Sequence, residues 1–371
     1  MLYWGSPRRR NFPLPRNQSM TDALVTAAIA HWAQRFVANG VALADFQDVT
    51  ASIASWADWC RAWSARAAVH EAMGRAALAQ GNHLSAGEHL QRAGVYYHFA
   101  KFLFVHDLAQ MKEAHAKAVA CRRLALPHLA PPGERVAVPF EGKFLYGILR
   151  KPLGTARSPV MVMICGLDSC KEETDAYEQP YLARGIATLA FDGPGQGEAE
   201  YEFPIRGDYE TAVEAVIDYL ETRQDIDASR IGLWGVSLGG YYAPRAAAFE
   251  KRAKACIALS GPFDLLDAWD FLPELTREAF RVRSHCAAAD DAKRNAATLS
   301  LKGIATRIAC PLFIVAGKQD RVIPWQDAER LAREAGGPVQ LLMIPDGGHV
   351  ANNRSYGWRS QSADWMAAKL A

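Results

Sequence analysis

Long apolar runs and a strong charge of either sign are missing from this chain of 371 residues, whose formal net charge is +2. No segment approaches the roughly 18 consecutive apolar residues that suggest a membrane-spanning helix. A charge balance this close to neutral gives no reason to expect a nucleic acid or a membrane as partner. Histidines and cysteines at metal-ligand spacing are also missing, so we expect no metal site.

The cysteines show no pattern either. There are seven, an odd number, and they are scattered without a C-x-x-C pair. Buried free thiols and a reducing cytoplasm are therefore the expected state and compartment. Residues 1–19 contain four arginines and three prolines but no apolar stretch. We interpret them as a basic leader segment and not as a secretory signal.

Residues 20–130 are predicted to be helical throughout. The apolar residues of the first helix recur at helical spacing, and Gly40 ends it; they are Val25, Ile29, Trp32 and Phe36. A second helix is predicted over residues 57–80. A third is predicted to begin at a capping box formed by Ser85 and Glu88, and a fourth is predicted from Asp107 to Pro127.

Residues 131–371 show a different pattern. A predicted hairpin comes first, and strands then alternate with helices, which is typical of a doubly wound, mostly parallel sheet. The predicted strands cover residues 160–165, 186–191, 231–234, 255–259, 312–316 and 340–344. An irregular excursion over residues 262–298 interrupts the alternation. It is rich in aromatic residues, among them Trp269, and we expect it to help wall a substrate pocket.

The sequence GVSLG within residues 231–240 matches the nucleophile elbow, G-x-S-x-G. It places Ser237 between a predicted buried strand and a helix. The glycines at positions 235 and 239 fit a strand-to-helix turn too sharp for bulky side chains. The short motif also occurs by chance, so its weight depends on partners elsewhere in the chain.

Those partners occur in the order Ser, acid, His that is typical of the α/β-hydrolase fold. Asp320 follows one predicted strand, and His349 follows the last strand on a loop with two glycines. All three residues fall at carboxyl ends of strands, where such sheets carry their ligand sites. Asp346 and Asp264 remain alternative acids. The sequence predicts a serine nucleophile, a histidine base and an acid that orients the base.

An oxyanion hole requires two N–H donors. We predict the amides of Leu238, after the nucleophile, and of Leu167, in the loop after the first parallel strand. Asp168 lies next to Leu167, although a carboxylate there would oppose the charge that the hole must hold. Either Asp168 points to solvent as a loop cap, or it is protonated or paired with substrate and handles a proton. The glycine-rich segment 192–197 lacks phosphate-loop order, so we interpret it as a tight turn beside the pocket.

Several motifs resemble one group of enzymes. The segments GLDSCKEE, FDGPGQGE, GVSLGG and DGGH, behind the helical segment WADWCRAWSARAAVHEAMGRAALAQG, are similar to the 2,6-dihydroxypseudooxynicotine hydrolase group of α/β-hydrolases. Fungal polyketide-shortening hydrolases and FrsA-like esterases are wider relatives. The resemblance implies an α/β-hydrolase fold over residues 131–371 and an N-terminal helical domain, residues 20–130, that covers the active site.

The same resemblance implies a cofactor-free hydrolase, a homodimer, that cleaves a carbon–carbon bond next to a ketone in a β-diketone or acyl-aromatic compound. It places the triad at Ser237, Asp320 and His349 and ties Asp168 to substrate handling, as we also expect for Trp269. A role in the catabolism of aromatic compounds would follow. A carboxylesterase with the same triad is the main alternative, and a non-catalytic regulatory binding protein is a weaker one.

Overall fold

The computed structural model describes residues 22–371, so the basic leader predicted at residues 1–19 lies outside the described residues. Five helices come first, joined by short turns. They are α1 (Ala23–Ala38), α2 (Leu43–Ser52), α3 (Trp59–Ala79), α4 (His83–Lys101) and α5 (Leu108–Ala125). The helices pack around an aromatic core in which the rings of Phe36 and Phe99 stack 3.8 Å apart.

Four of these five helices match the predicted ones; α2 is not among them, and one predicted cap is wrong. Helix α4 begins at His83 behind Asn82, which makes no side-chain capping bond, so the capping box predicted at Ser85 and Glu88 is wrong. Both residues lie inside the first turns of the helix. Asp107, by contrast, accepts a hydrogen bond from the Gln110 amide and caps α5 as predicted.

Eight strands form one sheet in the order β1-β2-β4-β3-β5-β6-β7-β8. Strand β2 runs antiparallel to both its neighbours, and the remaining pairs are parallel. The strands are β1 (Gly133–Phe140), β2 (Lys143–Arg150), β3 (Ser158–Ile164), β4 (Ala187–Phe191), β5 (Ile226–Val236), β6 (Ala253–Leu259), β7 (Leu312–Gly317) and β8 (Val339–Ile344). The predicted hairpin and the mostly parallel sheet are confirmed.

Helices cover both faces of this sheet. Helices α6 (Asp175–Leu182) and α13 (Arg359–Lys369) pack on one face, and α7 (Glu210–Glu221), α8 (Gly239–Phe249) and α12 (Gln326–Glu334) pack on the other. The strands between them are buried on both sides, which explains their continuous apolar runs. Within residues 22–371, none of the helices combines the length and the apolar character that crossing a bilayer requires.

The predicted excursion between β6 and β7 contains three short helices, α9 (Leu265–Ala268), α10 (Glu274–Arg283) and α11 (Ala289–Ala296). Leu275 and Ala279 of α10 belong to the aromatic core of the N-terminal helices. The guanidinium of Arg283 donates to the carbonyl oxygens of Phe102 and Leu167, at 2.7 and 2.9 Å. This excursion therefore connects the helical part of the chain to the loop that follows β3.

Candidate active site

Ser237 occupies the sharp turn between β5 and α8. Its φ of 57° lies in the left-handed region, which is uncommon for a residue with a side chain. A Cβ on Gly235 would lie 1.9 Å from the carbonyl oxygen of Gly239, and one on Gly239 would lie 2.3 Å from that of Ile164. Both glycines of the motif are thus required by the close approach of strand and helix, which holds Ser237 at the sheet edge.

The structure brings the three predicted triad residues together. His349 Nε2 lies 2.9 Å from Ser237 Oγ, and His349 Nδ1 lies 2.8 Å from Asp320 Oδ2. These two hydrogen bonds link the acid, the histidine and the predicted nucleophile in a continuous chain. This geometry allows the imidazole to take the serine proton while the carboxylate holds the ring orientation.

Backbone groups fix Asp320 from the opposite side. Its Oδ1 accepts the amides of Val322 and Ile323 at 2.8 and 3.0 Å, and the side chain is almost fully buried. The buried carboxylate therefore has hydrogen-bond partners for both oxygens. It cannot rotate away from His349 without losing two backbone bonds.

The two alternative acids lie elsewhere. Asp346 forms an ion pair with Arg354 at the surface, with a closest distance of 2.6 Å. Asp264 caps α9 by accepting the Asp267 amide at 3.0 Å. Neither is hydrogen-bonded to His349 in the described part of the chain, so the geometry favours Asp320.

The histidine loop is held in an unusual backbone conformation. Val350 and Ala351, directly after His349, have φ values of 58° and 47°. The Val350 amide donates to Ser260 Oγ at 3.1 Å, and the Gly348 amide donates to the side-chain oxygen of Asn353 at 2.9 Å. Two consecutive left-handed residues are strained, and these bonds maintain the turn that presents the imidazole to Ser237.

The predicted oxyanion donors border the nucleophile. Within residues 22–371, neither the Leu238 amide nor the Leu167 amide donates to another protein group. The loop carrying Leu167 touches the serine, because a Cβ on Gly166 would lie 3.1 Å from Ser237 Cβ. Gln196, from the predicted tight turn, donates a hydrogen bond to the carbonyl oxygen of Cys165 and thereby holds the start of this loop. Two unused amides beside a nucleophile suit the binding of a negative oxygen.

A small cavity of about 20 Å³ lies against Ser237, with room for about one water molecule. Residues of the sheet edge and of α1 and α6 line it. They are Arg35, Asp168, Ser169, Glu173, Tyr177, Val236, Ser237, His349, Val350 and Asn352.

Asp168 does not project into solvent as an unpaired side chain. It pairs with a cation from the helical part of the chain. Arg35 Nη1 of α1 lies 2.7 Å from Asp168 Oδ1, while the Nε and Nη2 of Arg35 donate to Glu173 at 2.7 and 2.6 Å. The second oxygen of Asp168 has no hydrogen-bond partner within the described residues, and the residue lines the cavity. The guanidinium thus offsets the carboxylate charge beside the oxyanion site.

Glu173 differs from Asp168 in that both its oxygens are fully used. Besides Arg35, it accepts a bond from Asn39 at 2.7 Å and lies 2.9 Å from His98 Nε2. Burial opposes ionisation, but the neighbouring Arg35 and His98 lower the pKa of Glu173 well below its usual range. Burial likewise lowers the pKa of Arg35, but Asp168 and Glu173 outweigh it and raise that pKa well above the usual value. Arg35 and Glu173 are therefore both charged.

One cluster near the site has the donor types of a metal site. His115, Cys170 and Glu172 are buried, and each brings a potential ligand atom within 4.8 Å of the others. The ammonium of Lys171 lies 2.8 Å from Glu172 and already supplies a positive charge there. Burial also raises the pKa of the Cys170 thiol well above its usual value, which favours the neutral thiol over a thiolate ligand.

Trp269 is not brought to the nucleophile. It is buried in the sheet core, with its ring edge-on to Phe280 at 5.5 Å, and it does not line the cavity at Ser237. The excursion touches the site only indirectly, through the bond from Arg283 to the Leu167 carbonyl. The substrate-binding role predicted for Trp269 therefore has no support from this geometry.

The sequence analysis did not single out Arg35, Asn39 or Tyr177. One signal for Arg35 was present, because it lies three residues after Trp32 and one before Phe36, on the apolar face of α1. A charged residue on a buried helix face requires a partner of opposite charge. The two adjacent glutamates in GLDSCKEE are candidate partners, but nothing in the sequence indicates which of them pairs with Arg35.

The elbow, the hydrogen-bonded triad and the mostly parallel eight-stranded sheet define this protein as an α/β-hydrolase with a serine nucleophile. The profile of the prolyl oligopeptidase family matches residues 173–371, which is more than half of the chain.

The 2,6-dihydropseudooxynicotine hydrolase of Paenarthrobacter nicotinovorans is 35% identical over 337 residues, which cover 90% of each chain. A crystal structure of 2,6-dihydroxy-pseudo-oxynicotine hydrolase superposes with a TM-score of 0.84 at 33% identity, covering 91% of this chain and 96% of that one. The hydrolyase poxO of Penicillium oxalicum is 35% identical over 58% of this chain and 53% of its own.

The chain therefore belongs to the prolyl oligopeptidase family of α/β-hydrolases and, within it, to the group that contains 2,6-dihydroxypseudooxynicotine hydrolase. This confirms the resemblance, the fold class and the assignment to the hydrolases. Similarity over nine tenths of both chains includes the N-terminal helices as well as the sheet.

Proposed function

We propose that this protein hydrolyses a carbon–carbon bond next to a ketone, in a β-diketone or acyl-aromatic substrate, with Ser237 as nucleophile, His349 as base and Asp320 as orienting acid. The observation that carries the proposal is the hydrogen-bonded chain of these residues beside an ionically paired Asp168. Similarity to an enzyme named as a 2,6-dihydropseudooxynicotine hydrolase supports it.

The first step is attack on the ketone. Ser237 Oγ adds to the carbonyl carbon and its proton passes to His349 Nε2, 2.9 Å away. The carbonyl oxygen becomes an oxyanion and is bound by the amides of Leu238 and Leu167. The developing imidazolium is stabilised by Asp320, whose charge is held by two backbone amides.

The second step breaks the carbon–carbon bond. The bonding electron pair leaves with the fragment that can bear it, as an enolate or a phenol-type ring carbon, and His349 protonates that carbon. Water then attacks the carbonyl carbon of the acyl–Ser237 ester with His349 as base. The bond to Ser237 Oγ breaks, His349 returns the proton to that oxygen, and the acid is released. Every proton taken by the imidazole is returned, so no cofactor is required.

Asp168 suits the recognition of a leaving fragment that carries a hydroxyl group. One of its oxygens is bound by Arg35, the other has no partner in the described residues, and Asp168 lines the cavity. A free carboxylate oxygen accepts a hydrogen bond from a phenol or enol. Such a bond steers the proton and the electron density of the departing ring.

We further propose that residues 20–130 form a cap domain over the catalytic domain of residues 131–371. The contacts of α1 with Asp168, Glu173 and the histidine loop support this division. A homodimer and a cytoplasmic location complete the proposal. Five of the seven cysteines are buried free thiols, which suits a reducing compartment.

The test is a paired assay of purified protein on an aryl β-diketone and on a short aryl ester, with Ser237→Ala as control. We expect the diketone to be cleaved at a rate equal to or above that of the ester. Turnover of the ester alone would replace the proposal with a carboxylesterase, which requires only the triad and the oxyanion donors. Turnover that survives in Ser237→Ala would contradict both.

A further inference from the structure

A second cavity also borders His349. It encloses about 180 Å³ between α1 and the loops that follow β7 and β8. Its lining is polar and consists of Ala30, His31, Gln34, Gln319, Arg321, Val322, Gly348, His349 and Asn353. Among the described residues, His349 lines both cavities, so this space lies next to the imidazole that is hydrogen-bonded to Ser237.

Among the described residues, the lining of this second cavity carries positive charge and no negative charge. None of its nine residues is an aspartate or glutamate. Arg321 is exposed and forms no ion pair with any described residue, unlike Arg354 of the neighbouring loop, which is paired with Asp346. The nearest carboxylate along the chain, Asp320, is buried and already bound by His349 and two amides.

Neutral donors surround Arg321. Gln34 reaches over the histidine loop, because a Cβ on Gly348 would lie 3.2 Å from its side-chain oxygen. Burial and the neighbouring Arg321 and His349 lower the pKa of His31, although Asp320 opposes them. His31 is therefore neutral near pH 7 and offers one N–H donor. A cation with amide and imidazole donors around it matches the oxygens of a carboxylate.

We propose that this cavity is an anion-binding subsite that receives a carboxylate of the substrate, with Arg321 as its charged partner. The inference deepens the proposed function and rests on it, because it names the class of substrate: a ketone or ester that bears an acidic group. The carboxylate belongs either to the acyl fragment or to the leaving fragment, depending on which of them passes His349.

The test measures binding without turnover, in Ser237→Ala protein, to three compounds. Phenyl butyrate is neutral, monophenyl glutarate carries a carboxylate on the acyl side, and 4-carboxyphenyl butyrate carries one on the leaving side. Dissociation constants are compared with those of Ser237→Ala/Arg321→Gln. Ser237→Ala/Arg333→Gln is the matched control, since Arg333 of α12 is also exposed and lines neither cavity.

We expect one carboxylated compound to bind about 10-fold to 100-fold more tightly than phenyl butyrate, and Arg321→Gln to remove this preference, as for the loss of one charge-assisted hydrogen bond. If monophenyl glutarate is the tighter ligand, the carboxylate belongs to the acyl side. If 4-carboxyphenyl butyrate is the tighter ligand, it belongs to the leaving side. Equal affinity for all three compounds, or a preference that survives Arg321→Gln, would overturn the proposal. Failure of wild-type protein to hydrolyse any ketone or ester would count against the proposed function alone, because binding is measured separately.

Discussion

The sheet and the N-terminal helices contribute to the site in different ways. The sheet supplies Ser237, Asp320 and His349, each at the end of a strand and each fixed by its own neighbouring backbone. Helix α1 supplies Arg35, which meets Asp168 and Glu173 across 133 and 138 positions of the chain through side chains alone. The proposed reacting groups are thus positioned by the sheet, whereas the charge around them is completed only when α1 packs against it.

This difference assigns separate roles to the two regions. Changes in the sheet residues should remove the chemistry and leave the packing of the helices intact. Changes at Arg35 should disturb packing, charge and chemistry together, because a buried ion pair that loses one partner leaves an uncompensated charge.

Ser237→Ala tests the sheet side of the comparison and has the largest expected effect. We expect turnover of the diketone to fall by about 10⁴-fold or more, because Ser237 Oγ is the hydroxyl that is hydrogen-bonded to His349 Nε2. The free energy of unfolding should change by less than about 1 kcal/mol, since the substitution removes one oxygen from a part-buried turn. Steady-state kinetics and urea unfolding measure the two quantities.

Arg35→Met tests the helical side. Methionine retains an unbranched apolar stem but leaves Asp168 and Glu173 buried without their cation, so we expect a loss of about 3–5 kcal/mol in the free energy of unfolding. Turnover should fall by about 100-fold, because two unpaired carboxylates beside the oxyanion site oppose the charge that develops there. Urea unfolding and diketone turnover are measured on the same preparation.

The control for this variant is Arg61→Met, at an exposed ion pair with Asp58 on α3. An exposed pair contributes little, so both quantities should stay near wild type. Arg35→Lys should recover part of the stability, because it restores the charge without the bidentate contact. If Arg35→Met unfolds and turns over like Arg61→Met, the ion pair does not connect the two regions as we describe.

Asp168→Asn separates charge from contact within the cavity. The amide oxygen still accepts the bond from Arg35, but the negative charge and the free carboxylate oxygen are lost. We expect cleavage of the diketone to fall by about 10-fold to 100-fold, as for the loss of a hydrogen bond to a charged group, while ester cleavage changes by less than about 3-fold. Equal losses on both substrates would show that Asp168 only shapes the loop.

Much of the sheet side could be predicted from the sequence. The triad residues follow strands with clear apolar patterns, and the glycines beside Ser237 are required by local sterics that a short motif records. The antiparallel hairpin also follows from alternation along the chain. Such features depend on residues close together in sequence, so the sequence pattern contains them.

The pairing of Arg35 with Asp168 could not be predicted in this way. It depends on how α1 is oriented on the sheet, which is decided by the packing of aromatic residues from several helices and α10. For the same reason the aromatic excursion suggested a pocket wall, whereas Trp269 lies in the sheet core. Apolar character predicts burial but not the surface against which a residue is buried.

Glu173→Gln sharpens the comparison through acid sensitivity and has the smallest expected effect. In the folded protein Arg35 and His98 hold the pKa of Glu173 well below its usual range, against the effect of burial. Its contribution to stability is complete above its unfolded pKa of about 4.3 and is lost as the pH falls further. Between pH 5 and pH 3 the free energy of unfolding of the wild type should therefore fall by about 2 kcal/mol more than that of the variant.

Urea unfolding at the two pH values measures this difference, and the other acidic groups cancel because both proteins contain them. Glu113→Gln, at an exposed ion pair with Lys117 on α5, is the matched control and should lose stability with acid as the wild type does. A parallel loss in wild type and Glu173→Gln would mean that the contact between α1 and the sheet does not depend on the charge of Glu173. The connection between the two regions would then be mainly apolar, carried by the packing of α10 against the helical core.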